Sequence, residues 1–277
     1  MPKIRVNDIK INYMEKGEGF PLILVHGLSD DLKFWSPLIP QLSENYRTIT
    51  LDLRGHGSSS KPEGPYSITQ FSRDVYSLLK ELNVEKAHFI GFSMGGAVVQ
   101  ELAVTHGEMV SSIILMSSFS YIDSKLHKNL FKLKKSLVEG GFAAFFDEVL
   151  PLVLTPKLIN ENKVELQQVK EEKVKTESAD VLISTVEACM EFDVKDRIPM
   201  ISKPTLIIFG KEDTFIPNNL AEQMHGLIKG SKHQIVENTG HNILIPGNMQ
   251  LLLESILEFF NEAHGKSRSV LARGPFL

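Results

Sequence analysis

One cysteine in 277 residues leaves Cys189 without a partner for an internal disulfide, and no Cys/His cluster stands at the spacing of a zinc site. That suits a reducing compartment. There is no basic surplus either: 30 Lys and Arg against 34 Asp and Glu give a formal net charge of -4, which leaves little to neutralise nucleic-acid phosphates. Small molecules are better expected partners than nucleic acid. No apolar run approaches the roughly 18 residues of a membrane span, and the N-terminus opens on charged, alternating residues. A cytoplasmic chain without membrane attachment is expected. Internal repeats, low-complexity tracts, a G-x-G-x-x-G turn, a Walker-type lysine loop and an acid cluster at metal-ligand spacing are also missing, so no cofactor and no metal are implied. What remains is 42% hydrophobic and 23% charged residues with 19 Gly and 13 Pro, the composition of an ordinary globular protein. Its length suits one large domain, or one domain carrying an insertion.

Residues 3–15 alternate Ile4, Val6, Ile9, Ile11 and Tyr13 with polar neighbours around Asn7-Asp8, which is the period and turn chemistry of a hairpin. Short continuous apolar runs come next at 21–25, 48–51, 87–92, 112–116 and 205–209, each bounded by Gly, Pro or polar clusters. Such runs suit strands buried on both faces. A helix over 68–82 places Phe71, Val75, Leu78, Leu79 and Leu82 on one side, and a second is predicted over 94–105. Alternating strands and helices give an α/β class with a mostly parallel central sheet flanked by helices. From about Ser120 to Phe192 the pattern changes to consecutive helix-like segments, which read as a block inserted between two strands. Lys125, Lys128, Lys132, Lys134 and Lys135 open this block and suggest an anion or membrane surface on their own. As many acids stand between Glu161 and Glu177, which favours a solvated helix face. A short strand at 233–236 and an amphipathic helix over 249–263 close the pattern, and the residues beyond His264 read as a tail.

Gly91-Phe92-Ser93-Met94-Gly95-Gly96 lies between the predicted strand 87–92 and the predicted helix 94–105. The G-x-S-x-G pattern alone would arise by chance in on the order of one chain in ten of this length, so its position carries the argument. A sharp strand-to-helix turn strains the central residue and exposes its side chain, and the flanking positions must be tiny. It also sets Ser93 at a helix N-terminus, where free amides and the dipole favour negative charge. A hydroxyl nucleophile needs a base, and the base needs an orienting acid. Asp213 comes after the strand 205–209 and His241 after the strand 233–236, in the chain order Ser, acid, His. Glu212 is a rival for the acid. An oxyanion needs two backbone amides: Met94 N–H, directly after the serine, and Leu28 N–H, from the loop His26-Gly27-Leu28-Ser29. The His26 side chain is expected to hydrogen-bond backbone and shape that loop.

With these residues in place, the chain resembles the alpha/beta-hydrolase superfamily, in its serine branch near 3-oxoadipate enol-lactonases, arylesterases and cofactor-free haloperoxidases. The carriers are His26-Gly27, the run Asp52 to Ser59, Gly91 to Gly96, Pro204 to Asp213 and Gly240-His241, spread over about residues 8–118 and 196–262. The resemblance implies an alpha/beta-hydrolase core at 1–119 and 196–264, a helical cap at 120–195 and a C-terminal tail at 265–277. It makes the Arg54 to Gly57 loop a structural turn. Phe142, Phe145, Phe146 and Leu150 of the cap have helical spacing and serve either as pocket lining or as cap-core packing. The implied reaction is acyl transfer to Ser93 from a small or medium apolar ester, with His241 as base and Asp213 as orienting acid. An aspartate nucleophile, which dehalogenases and epoxide hydrolases of this fold require, is replaced here by Ser93. Enol-lactonase, thioesterase, carbon-carbon hydrolase and perhydrolase chemistry would use the same three residues. An enol-lactonase of a dicarboxylate would want a basic cap residue facing the pocket, and none is assignable from sequence. A ligand sensor on the same fold, as in plant hormone receptors, is the alternative from another class.

Overall fold

The computed structural model describes residues 1–263, and the tail expected at 265–277 lies outside the described residues. The hairpin forms as β1 (Lys3–Val6) and β2 (Ile9–Lys16), with Asn7 at φ 49° in the turn. Asn tolerates that left-handed conformation better than most side chains. Then come β3 (Phe20–Val25), a single-turn α1 (Ile39–Leu42), β4 (Tyr46–Leu51), α2 (Ile68–Glu81), β5 (Ala87–Phe92), α3 (Met94–Thr105) and β6 (Val110–Met116). Four helices separate β6 from the next strand: α4 (Ser124–Val153), α5 (Pro156–Glu161), α6 (Lys163–Thr176) and α7 (Ala179–Met190). The chain closes with β7 (Thr205–Gly210), α8 (Asn218–Leu227), β8 (Lys232–Val236) and α9 (Met249–Ala263). Neither α1 nor α8 is predicted from sequence, because each offers too few apolar repeats to raise a helical period.

The strands form one sheet in the order β1-β2-β4-β3-β5-β6-β7-β8. β1 and β2 pair antiparallel with each other, and β2 pairs antiparallel with β4; every later pairing is parallel. The fold is that of an alpha/beta hydrolase. Successive side chains of β3 divide between its two faces: Ile23 and Val25 pack with the α2 and α3 side, Leu22 and Leu24 with Trp35, Ile256 and Phe260 on the α9 side. That two-sided burial is why the central strands read as unbroken apolar runs rather than alternating ones.

The helical excursion 124–190 is set by local signals. Asp123, Thr155 and Ser178 each accept a hydrogen bond from a backbone N–H in the first turn of α4, α5 and α7. Gly141 breaks α4 at φ 63° and ψ −157°, so the two halves of that helix run in different directions. Leu126, Leu130, Leu133, Leu137, Phe142 and Phe145 bury their side chains in the core. Three of the five lysines of α4 pair with acids: Lys132 with Glu148, Lys134 with Glu187 and Lys135 with Glu139. Among the described residues, no helix is long and apolar enough to cross a membrane.

A buried ion cluster ties the start of the sheet to the loop after β4. Arg54 Nε donates to Asp74 Oδ2 at 2.8 Å and its Nη2 to Asp8 Oδ1 at 2.6 Å. Arg54 and Asp74 are almost wholly buried, whereas the Asp8 side chain is 63% exposed. The guanidinium hydrogen-bonded to Asp8 holds its carboxyl down at about 2. Removing one member of a buried pair leaves a charge without compensation, at a cost of about 3–5 kcal/mol, while an exposed pair contributes roughly 0–1 kcal/mol. Arg54→Met is therefore expected to lose about 3–5 kcal/mol in urea unfolding and Asp8→Asn less than about 1 kcal/mol. Equal losses would contradict this division of roles.

Candidate active site

Ser93 sits between β5 and α3 at φ 52° and ψ −118°, in the left-handed region that L side chains rarely adopt. Its neighbours must be glycines because backbone closes in from two sides. A Cβ on Gly91 would meet the Gly95 carbonyl oxygen at 2.6 Å, and one on Gly95 would meet the Val25 carbonyl oxygen at 2.1 Å. The strained residue is held at both ends of its own peptide: Ser93 N donates to the Met116 carbonyl at 2.8 Å, and its carbonyl accepts from Ser118 Oγ at 2.9 Å. Gln100 Nε2 in turn donates to Ser118 Oγ at 3.2 Å. Ser118 and Gln100 carry no sequence motif and are not among the residues expected from sequence.

Three side chains from three different strand ends meet at this turn. His241 Nε2 lies 3.1 Å from Ser93 Oγ, and His241 Nδ1 lies 2.8 Å from Asp213 Oδ2. An ionised carboxylate accepts only, so Nδ1 carries the proton and Nε2 is left to accept from the serine hydroxyl. The other carboxylate oxygen of Asp213 accepts from Phe215 N at 2.9 Å and Ile216 N at 2.8 Å, which fixes its plane. All three residues are buried. The rival acid Glu212 turns elsewhere, accepting from the backbone N–H of Thr239.

The loop after β3 supplies the opposite wall. Leu28 lines the cavity that contains Ser93, and Met94 opens α3. Neither backbone N–H donates to a backbone carbonyl among the described residues. His26 Nδ1–H donates to the Gly27 carbonyl at 2.8 Å, and its Nε2 accepts from Leu53 N at 3.0 Å. Burial pulls His26 down to about 4 and the adjacent His56 to about 3, so both rings are neutral fittings that hold loops in place. Asp52 fastens the same region, accepting from Leu32 N at 2.8 Å, Ser58 N at 2.7 Å and Asn12 Nδ2 at 2.7 Å.

A cavity of about 230 Å³ opens over Ser93 and His241. Phe142, Phe145, Phe146 and Leu150 all line it, and Phe142 and Phe145 also belong to the buried core, so pocket lining and core packing are not exclusive. Phe34, Phe215 and Val169 line it too; their neighbours in sequence carry no sign of it. Two further lining residues are ionisable, Asp30 and Lys173. Lys173, on α6, is the basic residue facing the pocket that could not be picked from the sequence. Burial pushes the Asp30 carboxyl up to about 6, with Lys173 pulling it back down, Asp31 pushing it further up and His241 lowering it. A larger depression, about 350 Å³, lies between Lys61 to Gly64 and the start of α7, and it holds none of these three side chains. Among the described residues, no group of His, Cys, Asp and Glu is arranged to hold a metal ion.

Comparison with known proteins places this geometry among relatives. The alpha/beta hydrolase fold family matches residues 21–157. The protein named 3-oxoadipate enol-lactonase 2 from Acinetobacter baylyi is 32% identical over 213 residues, 76% of this chain and 78% of that protein. A protein named putative carbamate hydrolase RutD from Azorhizobium caulinodans is 29% identical over 222 residues, 80% of this chain and 84% of its own length. Among solved structures, the enol-lactonase from Burkholderia xenovorans LB400 has a TM-score of 0.87 at 26% identity, over 94% of this chain and 100% of that one.

The raised carboxyl in the cavity has a consequence for stability. Between its ordinary value near 3.8 and its folded value of about 6, Asp30 binds more protons folded than unfolded, so stability falls as pH rises through that window and stays lower above it. Asp30→Asn removes the ionisation. Its Tm gain over the wild type is expected to be larger at pH 8 than at pH 5, measured by thermal melts at both values; a gain independent of pH would contradict the assignment.

Proposed function

The chain belongs to the alpha/beta-hydrolase family of hydrolases, and on that premise we propose that it cleaves small to medium, largely apolar carboxylic esters through an acyl-enzyme on Ser93. The observation that carries this reading is the relay Ser93–His241–Asp213, with links of 3.1 and 2.8 Å, opening into a cavity walled mainly by Phe, Leu and Val. Ser93 Oγ attacks the ester carbonyl carbon while its proton passes to His241 Nε2. The carbonyl oxygen takes the negative charge and receives the N–H groups of Leu28 and Met94. Collapse of this intermediate breaks the bond to the alcohol oxygen, which leaves with the proton from His241. Water then attacks the acyl-enzyme, giving its proton to His241, and the second collapse returns that proton to Ser93 and releases the carboxylic acid. Asp213 holds the tautomer throughout and offsets the imidazolium charge. The helices 124–190 act in this reading as a cap, since α4 and α6 form most of the cavity wall away from the serine.

The relatives named enol-lactonase and carbamate hydrolase would use the same groups, so the choice rests on the cavity. Lys173 supplies the cap cation that a dicarboxylate substrate would want. Its Nζ, however, already donates to the Ser29 carbonyl at 2.5 Å and lies 3.7 Å from Glu177 Oε1. The Asp30 carboxyl beside it would repel a second carboxylate. A neutral ester is the better fit.

Hydrolysis of p-nitrophenyl esters, from acetate to longer acyl chains, tests the reading. Ser93→Ala and His241→Ala are each expected to lower kcat by roughly 10⁴-fold or more, and the double variant to do little further, because residues that act as a unit are not additive. Asp213→Asn is expected to lower it by about 10⁴-fold through the wrong tautomer. Turnover undiminished in Ser93→Ala would overturn the proposal.

A further inference from the structure

The cavity over Ser93 is apolar on most of its wall, and apart from His241 its ionisable lining residues are Asp30 and Lys173. The turn that follows Asp30 is held by other carboxylates. Asp31 caps it, accepting from Lys33 N at 2.8 Å, and Asp52 receives Leu32 N at 2.8 Å. The Asp30 carboxyl instead lies over Gly27: its Oδ2 is 3.1 Å from where a Cβ on that residue would stand. The Gly27 backbone is its hydrogen-bonding neighbour. Lys173 is engaged elsewhere, pairing with Glu177, which also takes Lys61 at 3.5 Å. Asp30 lines a mostly apolar cavity, two residues beyond Leu28, and a carboxylate has more acceptor sites than the Gly27 backbone fills. Lone pairs left over from the Gly27 contact favour whatever brings a further donor.

We propose that Asp30 is a specificity-determining residue that accepts a hydrogen bond from a neutral donor, an amide N–H or a hydroxyl, carried by the substrate close to its scissile carbonyl. The proposal rests on the serine-hydrolase reading above and adds the chemical class of substrate. Charge selects the donor. An ammonium group would be drawn to Asp30 but would enter beside the Lys173 ammonium, and a carboxylate would meet Asp30 itself. A neutral donor meets neither repulsion. A secondary amide fits best, because its N–H can donate to Asp30 and the group carries no charge to meet either side chain. The apolar wall from Phe142, Phe146, Val149 and Leu166 then takes the hydrocarbon part of the same acyl group.

The test uses three p-nitrophenyl esters of matched length: one whose acyl chain carries a secondary amide, the same amide N-methylated, and an all-carbon chain. The readout is the ratio of kcat/KM for the N–H ester to that for its N-methyl counterpart, measured within each protein. For the wild type the ratio is expected to be about tenfold or more, the range for a hydrogen bond to a charged group. Asp30→Leu is expected to bring it to about one. Asp30→Asn, whose carboxamide oxygen still accepts, is expected to keep part of it. A wild-type ratio near one, or a ratio that survives in Asp30→Leu, overturns the proposal. Should Asp30→Leu not fold, the wild-type and Asp30→Asn ratios decide alone, and equal values in these two would count against it. Ser93-dependent turnover of all three esters without discrimination removes this proposal and leaves the serine-hydrolase reading standing. No Ser93-dependent turnover of any ester removes both.

Discussion

A Cβ on residue 95 would stand 2.1 Å from the carbonyl oxygen of Val25, so near does the start of α3 approach the end of β3. Most of the site derives from that contact. The approach puts the N-terminus of α3, where Met94 stands, against the loop that begins at His26 and carries Leu28. It also forces Ser93 into a left-handed backbone conformation, a strain of order 1–3 kcal/mol that the surroundings must hold. They hold it with parallel pairing of β5 on both edges and with the Ser118 hydroxyl on the Ser93 carbonyl. Held this way, the Ser93 hydroxyl already lies within hydrogen-bond distance of His241 Nε2.

Around that turn, the buried polar groups divide into those that face one another as side chains and those that hold backbone. His26, His56, Asp52, Arg54 and Asp74 are all buried, and each is held mainly by loop amides, loop carbonyls or one another, His56 through its Nδ1 alone. Their neutral or paired states keep the loops after β3 and β4 in one arrangement. His241 differs in having its two ring nitrogens turned to two side chains, Asp213 and Ser93. Geometry of partners, more than residue type or burial, sets His241 apart from the histidines that hold backbone.

The helices between β6 and β7 reach the site by two routes. Apolar side chains of α4 fill the space above Ser93, and a chain of charges, Lys61, Glu177 and Lys173, fastens the end of α6 to the sheet side and to the Ser29 carbonyl. Ser29 itself has φ 61°, so the lysine grips the loop where its backbone is least relaxed. The Gly141 break in α4 lets Phe142, Phe145 and Phe146 turn toward the cavity while the first half of the helix packs along the core.

The strands, the turn at Ser93 and the order Ser, acid, His were legible in the sequence, because a doubly buried parallel strand is an apolar run and a tight turn admits only glycine beside it. The choice of Asp213 over Glu212 also agrees with position, yet only the structure turns Glu212 to Thr239. Helices α1 and α8 were not legible, since short amphipathic segments raise no period. Nor were Asp30 and Lys173, which stand 143 residues apart in a chain that holds 34 acids and 30 bases. The sequence by itself determined the fold and the placing of Ser93, Asp213 and His241 after strand ends, because local periodicity and turn chemistry encode both. Which charges face the substrate was decided only by tertiary structure: a charged side chain has the same local signature whether it points to water or into a cavity, and the packing of distant segments alone tells them apart.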